Sequence, residues 1–525
     1  MFYDGFTETA SRFPDLIAVE LQRESSAVTA GAAPVESYTF TQLRNMAESV
    51  GRWLLAQGFP RGSKCAFYAA NHPRWTAAYL GVLSSGNTAV PLDTAFHADQ
   101  VRKLLIDSDS VLLFCDRARL AAAREATRDL PIKLVLMDGS QLIESVCQLS
   151  EIFAAGPGDF QPIAVTASDI ALILYTSGTT SDPKGVMLSH GNVESECEGI
   201  RKVFDVGPKD AILGILPLFH SLAQMANLFL PLTVAMRVVY LESLNTSDLL
   251  RALQERDITV FACVPQFFYL ILERIQKEVQ QKGALVRSLF KVMLAVSGFA
   301  RRYHINLGKL FFGRVHHMLG SRMRYLITGG SRFDPEVGRK FEALGFTLLQ
   351  GYGLTETCGA ATVTPPNDNV IGSIGKPLPG NEMMIFDGAR SPEHDGASVG
   401  EVAIRGGIVM VGYYKRPDAT AAMFRDGWLL TGDLGYSDAH GNFFITGRKK
   451  DVIVLSNGKN VYPEEIEAWY QQSPYIKEAC VLGLQSAPGE PFSERLHGVI
   501  VPDFEALRRD KIVNVADMLR FEIEG

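Results

Sequence analysis

A loop rich in hydroxyl side chains, Tyr175–Gly185, carries the clearest chemical signal in the sequence. It reads Tyr-Thr-Ser-Gly-Thr-Thr-Ser-Asp-Pro-Lys-Gly, with five serines and threonines around Gly178 and a lysine at position 184. Hydroxyl groups and exposed backbone amides donate hydrogen bonds to phosphate oxygens, and glycine allows close backbone approach. Lys184 adds a positive charge. The pattern predicts a phosphate-binding loop, although its spacing is not that of a Walker A motif and a polar surface turn has a similar composition.

Five further segments combine glycine or histidine with polar and charged side chains. They are Pro217–Ser221, Tyr325–Arg332, Gln350–Thr357, Gly427–Asp433 and Gly447–Asp451. Glycines at the end of a strand let a flat ligand come close. A carboxylate such as Glu356 suits a hard cation, and one such as Asp433 can accept ribose hydroxyls. Any one of these segments alone is more typical of an ordinary turn or an exposed surface.

Taken together and in this order, the six segments resemble the signatures of the adenylate-forming superfamily, and the resemblance covers essentially the whole chain. That superfamily contains acyl-CoA synthetases, luciferases and nonribosomal adenylation domains. The resemblance implies that a carboxylic acid is activated with ATP as its acyl-adenylate, and that a thiol then takes the acyl group. It implies ATP and Mg²⁺ as ligands and coenzyme A as co-substrate.

The resemblance also implies a role for individual residues. Lys184, Thr355, Glu356 and His220 are expected to take part in catalysis, with Thr355 contacting phosphate and His220 near the carboxylate. Glu356 and Thr179 are the expected Mg²⁺ ligands. Tyr352 is expected to stack on adenine, Asp433 and Arg448 to bind ribose or phosphate, and Lys450 to act as a hinge. The other implied ATP-binding positions are Thr176, Ser177, Gly178, Thr180, Gly329, Gly330, Ser331, Gln350, Gly351 and Gly353.

Alternating helix-like and strand-like segments are the elements that must position these residues. Apolar residues recur at helical spacing in Thr41–Gln57, and Cys65–Ala70 reads as a short apolar strand. Such alternation is typical of parallel βαβ units. We predict an α/β fold. A large N-terminal domain, residues 1–449, holds two βαβ-type sheets and a small β-rich subdomain, and a hinge at 450 leads to a small α+β C-terminal domain, residues 451–525.

Composition excludes several classes of protein. The chain has 525 residues, 47% of them hydrophobic, and a formal net charge of −7, which gives no support to nucleic-acid binding. The seven cysteines form no CxxC pair, which argues against a disulfide framework or a structural zinc site. The N-terminus does not read as a signal peptide, and we expect a cytoplasmic enzyme. The sequence does not fix the oligomeric state.

A basic segment, residues 279–333, bears on the choice of substrate. It contains ten lysines and arginines and no acidic residue, with apolar and aromatic residues interleaved. Such a surface suits an anionic membrane, and a helical excursion packed on the body of the protein with a solvated basic face explains it equally well. Its length resembles an insertion of long-chain fatty acyl-CoA synthetases, which favours a long-chain fatty acid.

One expected feature is absent from the sequence. Members of the superfamily carry a catalytic lysine near the C-terminus, in a proline-rich segment ending Gly-Lys, and Lys511 lacks that context. A truncated chain explains this better than a natively short enzyme, and either would bind ATP while forming adenylate slowly. Two alternative functions stay open: a fatty acyl-AMP ligase that loads a carrier protein, and a non-catalytic nucleotide- or lipid-binding relative, which the missing lysine favours.

Overall fold

The computed structural model describes residues 1–29, 31, 33–138, 146–175, 183–391, 396–454, 460–470, 473, 475–485, 494–510, 512 and 514–524. Contacts divide the chain into two units. The first comprises Met1–Glu382 and Arg405–Phe424, and the second comprises Met383–Ile404 and Arg425–Gly525.

The first unit contains a large sheet that is parallel in its centre and antiparallel at both edges. In spatial order, its nine strands within the described residues are Lys376–Pro377, Thr362–Val363, Leu348–Tyr352, Tyr325–Thr328, Val260–Cys263, Ala211–Leu213, Arg237–Leu241, Ile17–Gln22 and Val35–Thr39. Buried aromatic side chains, including Phe261, Phe268 and Phe341, form the core against it.

A second sheet of the same unit carries the strands on either side of the predicted phosphate-binding loop. As far as the chain is described, its eight strands run in the spatial order Gly412–Tyr413, Gly185–Ser189, Ile170–Tyr175, Thr88–Pro91, Lys64–Tyr68, Ser110–Cys115, Lys133–Leu136 and Cys147–Gln148. The first three strands in this order pair antiparallel and the others pair parallel.

Parallel strands are joined by crossover connections, and such connections usually contain a helix. The helices of the first unit are Phe2–Arg12, Ser25–Thr29, Phe40–Ala56, Pro73–Ser84, Ala98–Asp107, Leu120–Ala126, Leu149–Ala154, His190–Val203, Ser221–Gln224, Leu230–Thr233, Thr246–Glu255, Pro265–Gln280, Ala284–Arg301, Gly308–Phe311, Gly313–Met318, Pro335–Ala343 and Pro417–Ala422. Helix His190–Val203 begins directly after the second sheet, where Ser189 accepts a hydrogen bond from the backbone of Asn192 and caps its first turn.

The second unit is built on antiparallel strands. Its largest sheet joins Asn381–Arg390, Ser398–Gly406, Trp428–Ser437, Phe424–Arg425 and Phe443–Arg448. Two strand pairs follow, Ile453–Val454 with Asn460–Val461 and Ile476–Gln485 with Glu494–Pro502. The helices that accompany them are Pro463–Tyr470, Phe504–Arg509 and Val515–Glu524.

The structure confirms the predicted α/β class, with two sheets of βαβ type and a smaller antiparallel part. The helix predicted over Thr41–Gln57 spans Phe40–Ala56, and the strand predicted over Cys65–Ala70 spans Lys64–Tyr68. The boundary at residues 449/450 stays a prediction. No helix within the described ranges is both long and apolar enough to cross a membrane.

Candidate functional site

Two glycine-rich segments predicted to bind nucleotide lie at the carboxyl ends of neighbouring parallel strands. Thr328 at the end of one strand pairs with Gln350 in the other. A side chain at Gly329 would place its Cβ 2.8 Å from the carbonyl oxygen of Gly351, so only glycine fits between the two segments. Parallel strands end at the same edge of a sheet, where ligands of open α/β sheets bind. The structure therefore brings 329–331 and 350–353 together.

Gln350 uses its side chain to hold a neighbouring turn. Its carbonyl oxygen accepts a hydrogen bond of 3.0 Å from the backbone N–H of Gly372. Gly353 is equally constrained, because a Cβ there would lie 2.3 Å from the carbonyl oxygen of Gly359. These contacts fix the backbone around Tyr352, whose stacking on adenine stays a prediction.

Lys184 and Glu356 meet at one side chain, Tyr413. The Tyr413 hydroxyl donates a hydrogen bond of 2.6 Å to Glu356 Oε1. The Lys184 ammonium lies 5.2 Å from the centre of the Tyr413 ring, within the range of a cation–π contact. Burial and the adjacent Glu356 carboxylate raise the pKa of the Tyr413 hydroxyl, which therefore stays a neutral donor. A cation, a phenol and a carboxylate thus lie within one cluster.

The chemistry of Glu356 fits a magnesium ligand. Magnesium in nucleotide sites is generally bound by one or two carboxylates, with water and phosphate oxygens as its other ligands. Across the described parts of the chain, no group of three or more His, Cys, Asp or Glu side chains could hold a metal ion. A magnesium ion held by Glu356 would take its other ligands from phosphate oxygens and water. The second predicted ligand, Thr179, lies outside the described residues.

The phosphate-binding loop is described only at its two ends. Tyr175 and Gly185 pair across the antiparallel strands that lead into and out of it. The Tyr175 hydroxyl donates a 2.7 Å hydrogen bond to Asp107 Oδ2. Five predicted phosphate contacts lie outside the described residues: Thr176, Ser177, Gly178, Thr179 and Thr180.

His220 lies in a loop at the carboxyl end of strand Ala211–Leu213, in the same large sheet. The amide of Asn71 holds this loop, donating to the carbonyl of Leu216 at 2.8 Å and accepting from the N–H of Leu218 at 2.9 Å. Desolvation lowers the pKa of the His220 imidazole, and Asp93 opposes that shift. A neutral imidazole near pH 7 suits a residue that contacts a carboxylate without charge pairing.

The two predicted ribose contacts of the second unit are themselves paired. Asp433 and Arg448 occupy opposite positions on adjacent strands, and Arg448 Nε lies 2.6 Å from Asp433 Oδ1. Asp433 is buried, so the pair fixes the direction of its carboxylate. Lys450, the predicted hinge, is exposed in the turn Lys449–Asp451.

Two residues of this arrangement were not predicted from the sequence, Tyr413 and Asn71. Tyr413 lies in the segment Gly412-Tyr-Tyr-Lys-Arg416. Two adjacent tyrosines between a glycine and two cations are the sequence pattern that could have indicated it. Asn71 follows a buried strand at its carboxyl end, a position where polar side chains often serve a site.

A known protein family matches most of the chain. The family model described as AMP-binding enzyme matches residues 6–414, and the model described as the C-terminal domain of AMP-binding enzymes matches residues 450–489. Both Lys184 and Glu356 fall in the first match, and the second begins at Lys450.

Individual proteins are similar over comparable lengths. The long-chain-fatty-acid–CoA ligase FadD15 of Mycobacterium bovis is 30% identical over 466 residues, covering 85% of this chain and 75% of that protein. Long-chain-fatty-acid–CoA ligase 5 of Rattus norvegicus is 28% identical over 507 residues, covering 90% and 72%. The crystal structure of ATP-bound MatB from Rhodopseudomonas palustris has a TM-score of 0.75 and 25% identity, covering 98% of this chain and 93% of that one.

Proposed function

This chain belongs to the family of AMP-binding enzymes, and from that premise we propose that it activates a long-chain fatty acid with ATP and transfers the acyl group to coenzyme A. The observation that carries the proposal is the 30% identity, over 85% of the chain, to a long-chain-fatty-acid–CoA ligase. The cluster of Lys184, Tyr413 and Glu356 supports it, because it supplies charges of both signs at the base of the predicted phosphate-binding loop.

The proposed reaction has two steps. A carboxylate oxygen of the fatty acid attacks the α-phosphorus of ATP, the bond to the β-phosphate oxygen breaks, and pyrophosphate leaves. The sulfur of coenzyme A then attacks the acyl carbon, the bond to the AMP oxygen breaks, and the thiol proton passes to solvent or a base. Both steps depend mainly on orientation and on stabilising charge as it develops.

The proposed roles of the site residues in the first unit follow from their charge or their size. Lys184 is placed to neutralise phosphate oxygens, and the glycine segments at 329–331 and 350–353 give the nucleotide close access to the backbone. Glu356 is the proposed magnesium ligand, and the bound ion would add positive charge at the phosphates. His220 lies in the loop that Asn71 holds, and we propose that it lies beside the carboxylate of the fatty acid.

Asp433 and Arg448 form the proposed ribose contact of the second unit. Arg448 Nε contacts one carboxylate oxygen of Asp433, and a carboxylate can accept hydrogen bonds from the hydroxyl groups of ribose. The pairing would hold the carboxylate in one direction before the nucleotide arrives.

The test is an assay of the purified chain with fatty acids of increasing length, ATP, Mg²⁺ and coenzyme A. We expect ATP-dependent release of pyrophosphate and formation of acyl-CoA, with long chains preferred. Glu356→Gln should lower the adenylation rate by about 10²-fold or more, because the oxygen ligand loses its charge. Glu336→Gln, at an exposed position of helix Pro335–Ala343, should leave the rate unchanged. Release of pyrophosphate with no acyl-CoA would favour the carrier-protein alternative, and no pyrophosphate exchange at all would favour the non-catalytic one.

We also propose that the fatty acid is taken up at an anionic membrane surface, through a basic apolar surface formed by residues 284–310. Its apolar side chains face solvent: Leu285 is 83% exposed, Phe299 60% and Leu310 78%. Arg287 and Lys291 are exposed on the same helix. Such a combination binds anionic bilayers by apolar burial and by attraction to lipid headgroups.

The opposite side of helix Ala284–Arg301 anchors this surface to the body. Three of its side chains pack against the core under the large sheet, namely Phe290, Met293 and Leu294. The helix therefore has one packed side and one unpartnered apolar side. An exposed apolar patch of this kind typically marks an interaction site.

Co-sedimentation with lipid vesicles tests the membrane proposal. We expect the chain to sediment with vesicles of phosphatidylglycerol more than with vesicles of phosphatidylcholine, and increasing salt should weaken binding. The double variant Lys291→Glu/Phe299→Ser should lose binding. The control, Lys209→Glu/Leu244→Ser, changes an exposed lysine and an exposed apolar side chain outside the surface and should retain binding. Equal binding by both variants would contradict the proposal.

A further inference from the structure

The segment Tyr413–Arg416 lies beside strand Gly185–Ser189, which leaves the predicted phosphate-binding loop. Gly412 and Tyr413 pair antiparallel with Met187 and Val186. The backbone N–H of Tyr414 donates to the carbonyl of Gly185 at 2.8 Å. This segment is more than two hundred positions away in sequence and is nevertheless the immediate neighbour of the loop's C-terminal end.

Each side chain of this segment has a fixed partner. Tyr413 contacts Glu356 and Lys184, as described above. The Tyr414 hydroxyl donates to Asp109 Oδ2 at 2.8 Å, and Lys415 Nζ lies 2.8 Å from the same carboxylate oxygen. Lys415 Nζ also donates to the backbone carbonyl of Asp107 at 2.9 Å. Tyr413, Tyr414 and Lys415 are thus each held by a charged or polar partner.

Asp107 connects the segment to the other end of the loop. One of its carboxylate oxygens lies 3.0 Å from a guanidinium nitrogen of Arg416, and the other accepts the hydroxyl of Tyr175 at 2.7 Å. The Asp107 side chain is only 14% exposed, so its pairing is shielded from water and is worth more than an exposed ion pair. Arg416 therefore holds Tyr175, the last described residue before the loop, through Asp107.

The backbone of the segment is strained in a way that makes these contacts compatible. Lys415 has a φ of +55°, in the left-handed region that residues other than glycine rarely adopt. That turn breaks the alternation of a strand, so that Lys415 and Arg416 both reach the end of helix Ala98–Asp107. Strain of this kind persists where surrounding contacts enforce it, and it is concentrated at functional sites.

We propose that Tyr413–Arg416 positions both described ends of the phosphate-binding loop, with Arg416 holding Tyr175 through Asp107 and Tyr413 fixing Lys184 relative to Glu356. This inference rests on the proposed function in assuming that the loop binds the phosphates of ATP. The four residues are positioning residues: they act on the nucleotide through Tyr175, Lys184 and Glu356. The loop ends therefore keep one spacing in the absence of nucleotide, which lowers the ordering cost of binding.

The test measures binding of a non-hydrolysable ATP analogue by calorimetry, separately from turnover. Arg416→Lys keeps the charge and loses the planar fork, and Asp107→Asn removes the ion pair. We expect each to weaken binding by about tenfold, and the double variant to be no weaker than either alone, because both break one connection. Arg339→Ala removes an exposed ion pair on the same unit and is the control. Circular dichroism confirms that each variant is folded at the temperature of the assay.

Tyr413→Phe tests whether Tyr413 fixes Lys184 relative to Glu356. The variant keeps the ring beside Lys184 and removes the hydroxyl that donates a hydrogen bond to Glu356. We expect about tenfold more Mg²⁺ to be needed for analogue binding, with the fold and Mg²⁺-independent binding unchanged. Full binding by Arg416→Lys and Asp107→Asn, or additive losses, would overturn the proposal while leaving the enzymatic function standing. An unmodified chain that binds the analogue but makes no acyl-CoA would overturn only the function. A chain that binds no nucleotide overturns both.

Discussion

A buried carboxyl group, Glu196, supports the turn that carries Glu356. Glu196 Oε1 accepts a hydrogen bond of 2.5 Å from the backbone N–H of Ala360. A Cβ at Gly359 would lie 3.1 Å from the same oxygen, so the turn is tightly packed on the carboxyl group. Burial raises the pKa of Glu196 to about 8. At neutral pH this side chain is therefore mostly protonated, an unusual state for a glutamate.

The raised pKa of Glu196 makes stability depend on pH in a defined direction. The unfolded carboxyl group loses its proton near its ordinary pKa of 4.5, whereas the folded one keeps it up to about pH 8. Between these values the folded state binds more protons, so the free energy of unfolding falls as pH rises. Glu196→Gln keeps an oxygen acceptor for Ala360 and cannot ionise. We expect its stability advantage over the wild type to grow by roughly 3–4 kcal/mol between pH 5 and pH 8, at about 1.36 kcal/mol for each pH unit.

Urea denaturation at several pH values measures this difference. Glu194→Gln, on the exposed side of the same helix, is the control and should leave the pH profile unchanged. Parallel profiles for the wild type and Glu196→Gln would show that Glu196 is not protonated in the folded state.

The residues of the site differ in how far sequence could predict them. Lys184 and Glu356 were predicted because their charges suit phosphate and magnesium and their segments resemble known signatures. Tyr413 was not, because its contact with Glu356 spans 57 positions and a buried tyrosine in a strand looks like ordinary core. Partners brought together by the sheet can be recognised only once strand order is known.

At the scale of elements, the segment between 211 and 233 differs most from its prediction. The sequence indicates a strand over Ala211–Leu216 and one helix near Ala223–Leu230. In the structure the strand ends at Leu213, and the helical region is split into Ser221–Gln224, a π-helical turn Met225–Phe229, and Leu230–Thr233. The strand ends early because Asn71 takes the carbonyls of Gly214 and Leu216, which a ladder would otherwise use.

That role of Asn71 predicts a specific effect on fatty-acid binding. Asn71→Ala leaves two carbonyls and one N–H without their side-chain partner, at a cost of about 1–3 kcal/mol for each group that stays buried. The loop carrying His220 should shift, and we expect the KM for fatty acid to rise about tenfold while the KM for ATP changes little. Steady-state kinetics with each substrate varied in turn measures this.

Asn71→Asp keeps the acceptor for Leu218 but places a charged oxygen against the carbonyls of Gly214 and Leu216. Its effect on the KM for fatty acid should be at least as large as that of Asn71→Ala. Equal increases in both KM values for Asn71→Ala would indicate a general loss of structure in place of a local shift of the His220 loop.

Strand order marks the limit of sequence-based prediction at this scale. Local periodicity predicts a strand over Cys65–Ala70, and the structure has a strand there, Lys64–Tyr68. Ile17–Gln22 was not predicted as a strand, and its neighbour in the sheet is Arg237–Leu241, more than two hundred positions later. Pairing over such separations depends on the packing of the whole sheet, which no local pattern contains.

At the scale of the whole molecule, two divisions of the chain differ. Sequence predicts a boundary at residues 449/450, whereas contacts assign Met383–Ile404 and Arg425–Gly525 to one unit. The family models match 6–414 and 450–489, leaving the segment between them to neither. A rotation about Lys450 would therefore occur within the second unit, between its large sheet and the residues that follow.

A substitution that restricts the backbone at Lys450 tests this hinge. If residues 451–525 rotate between adenylation and thioester formation, the two steps need different backbone angles at Lys450. Proline fixes φ near −65° and also restricts Lys449, so Lys450→Pro should slow one step much more than the other. We expect the ratio of the two single-turnover rates to change by about tenfold or more. Lys450→Ala removes the same side chain with a free backbone and should leave that ratio unchanged. Equal slowing of both steps by Lys450→Pro would place the pivot elsewhere. A change of the ratio by Lys450→Ala as large as that by proline would assign the effect to the loss of the ammonium group.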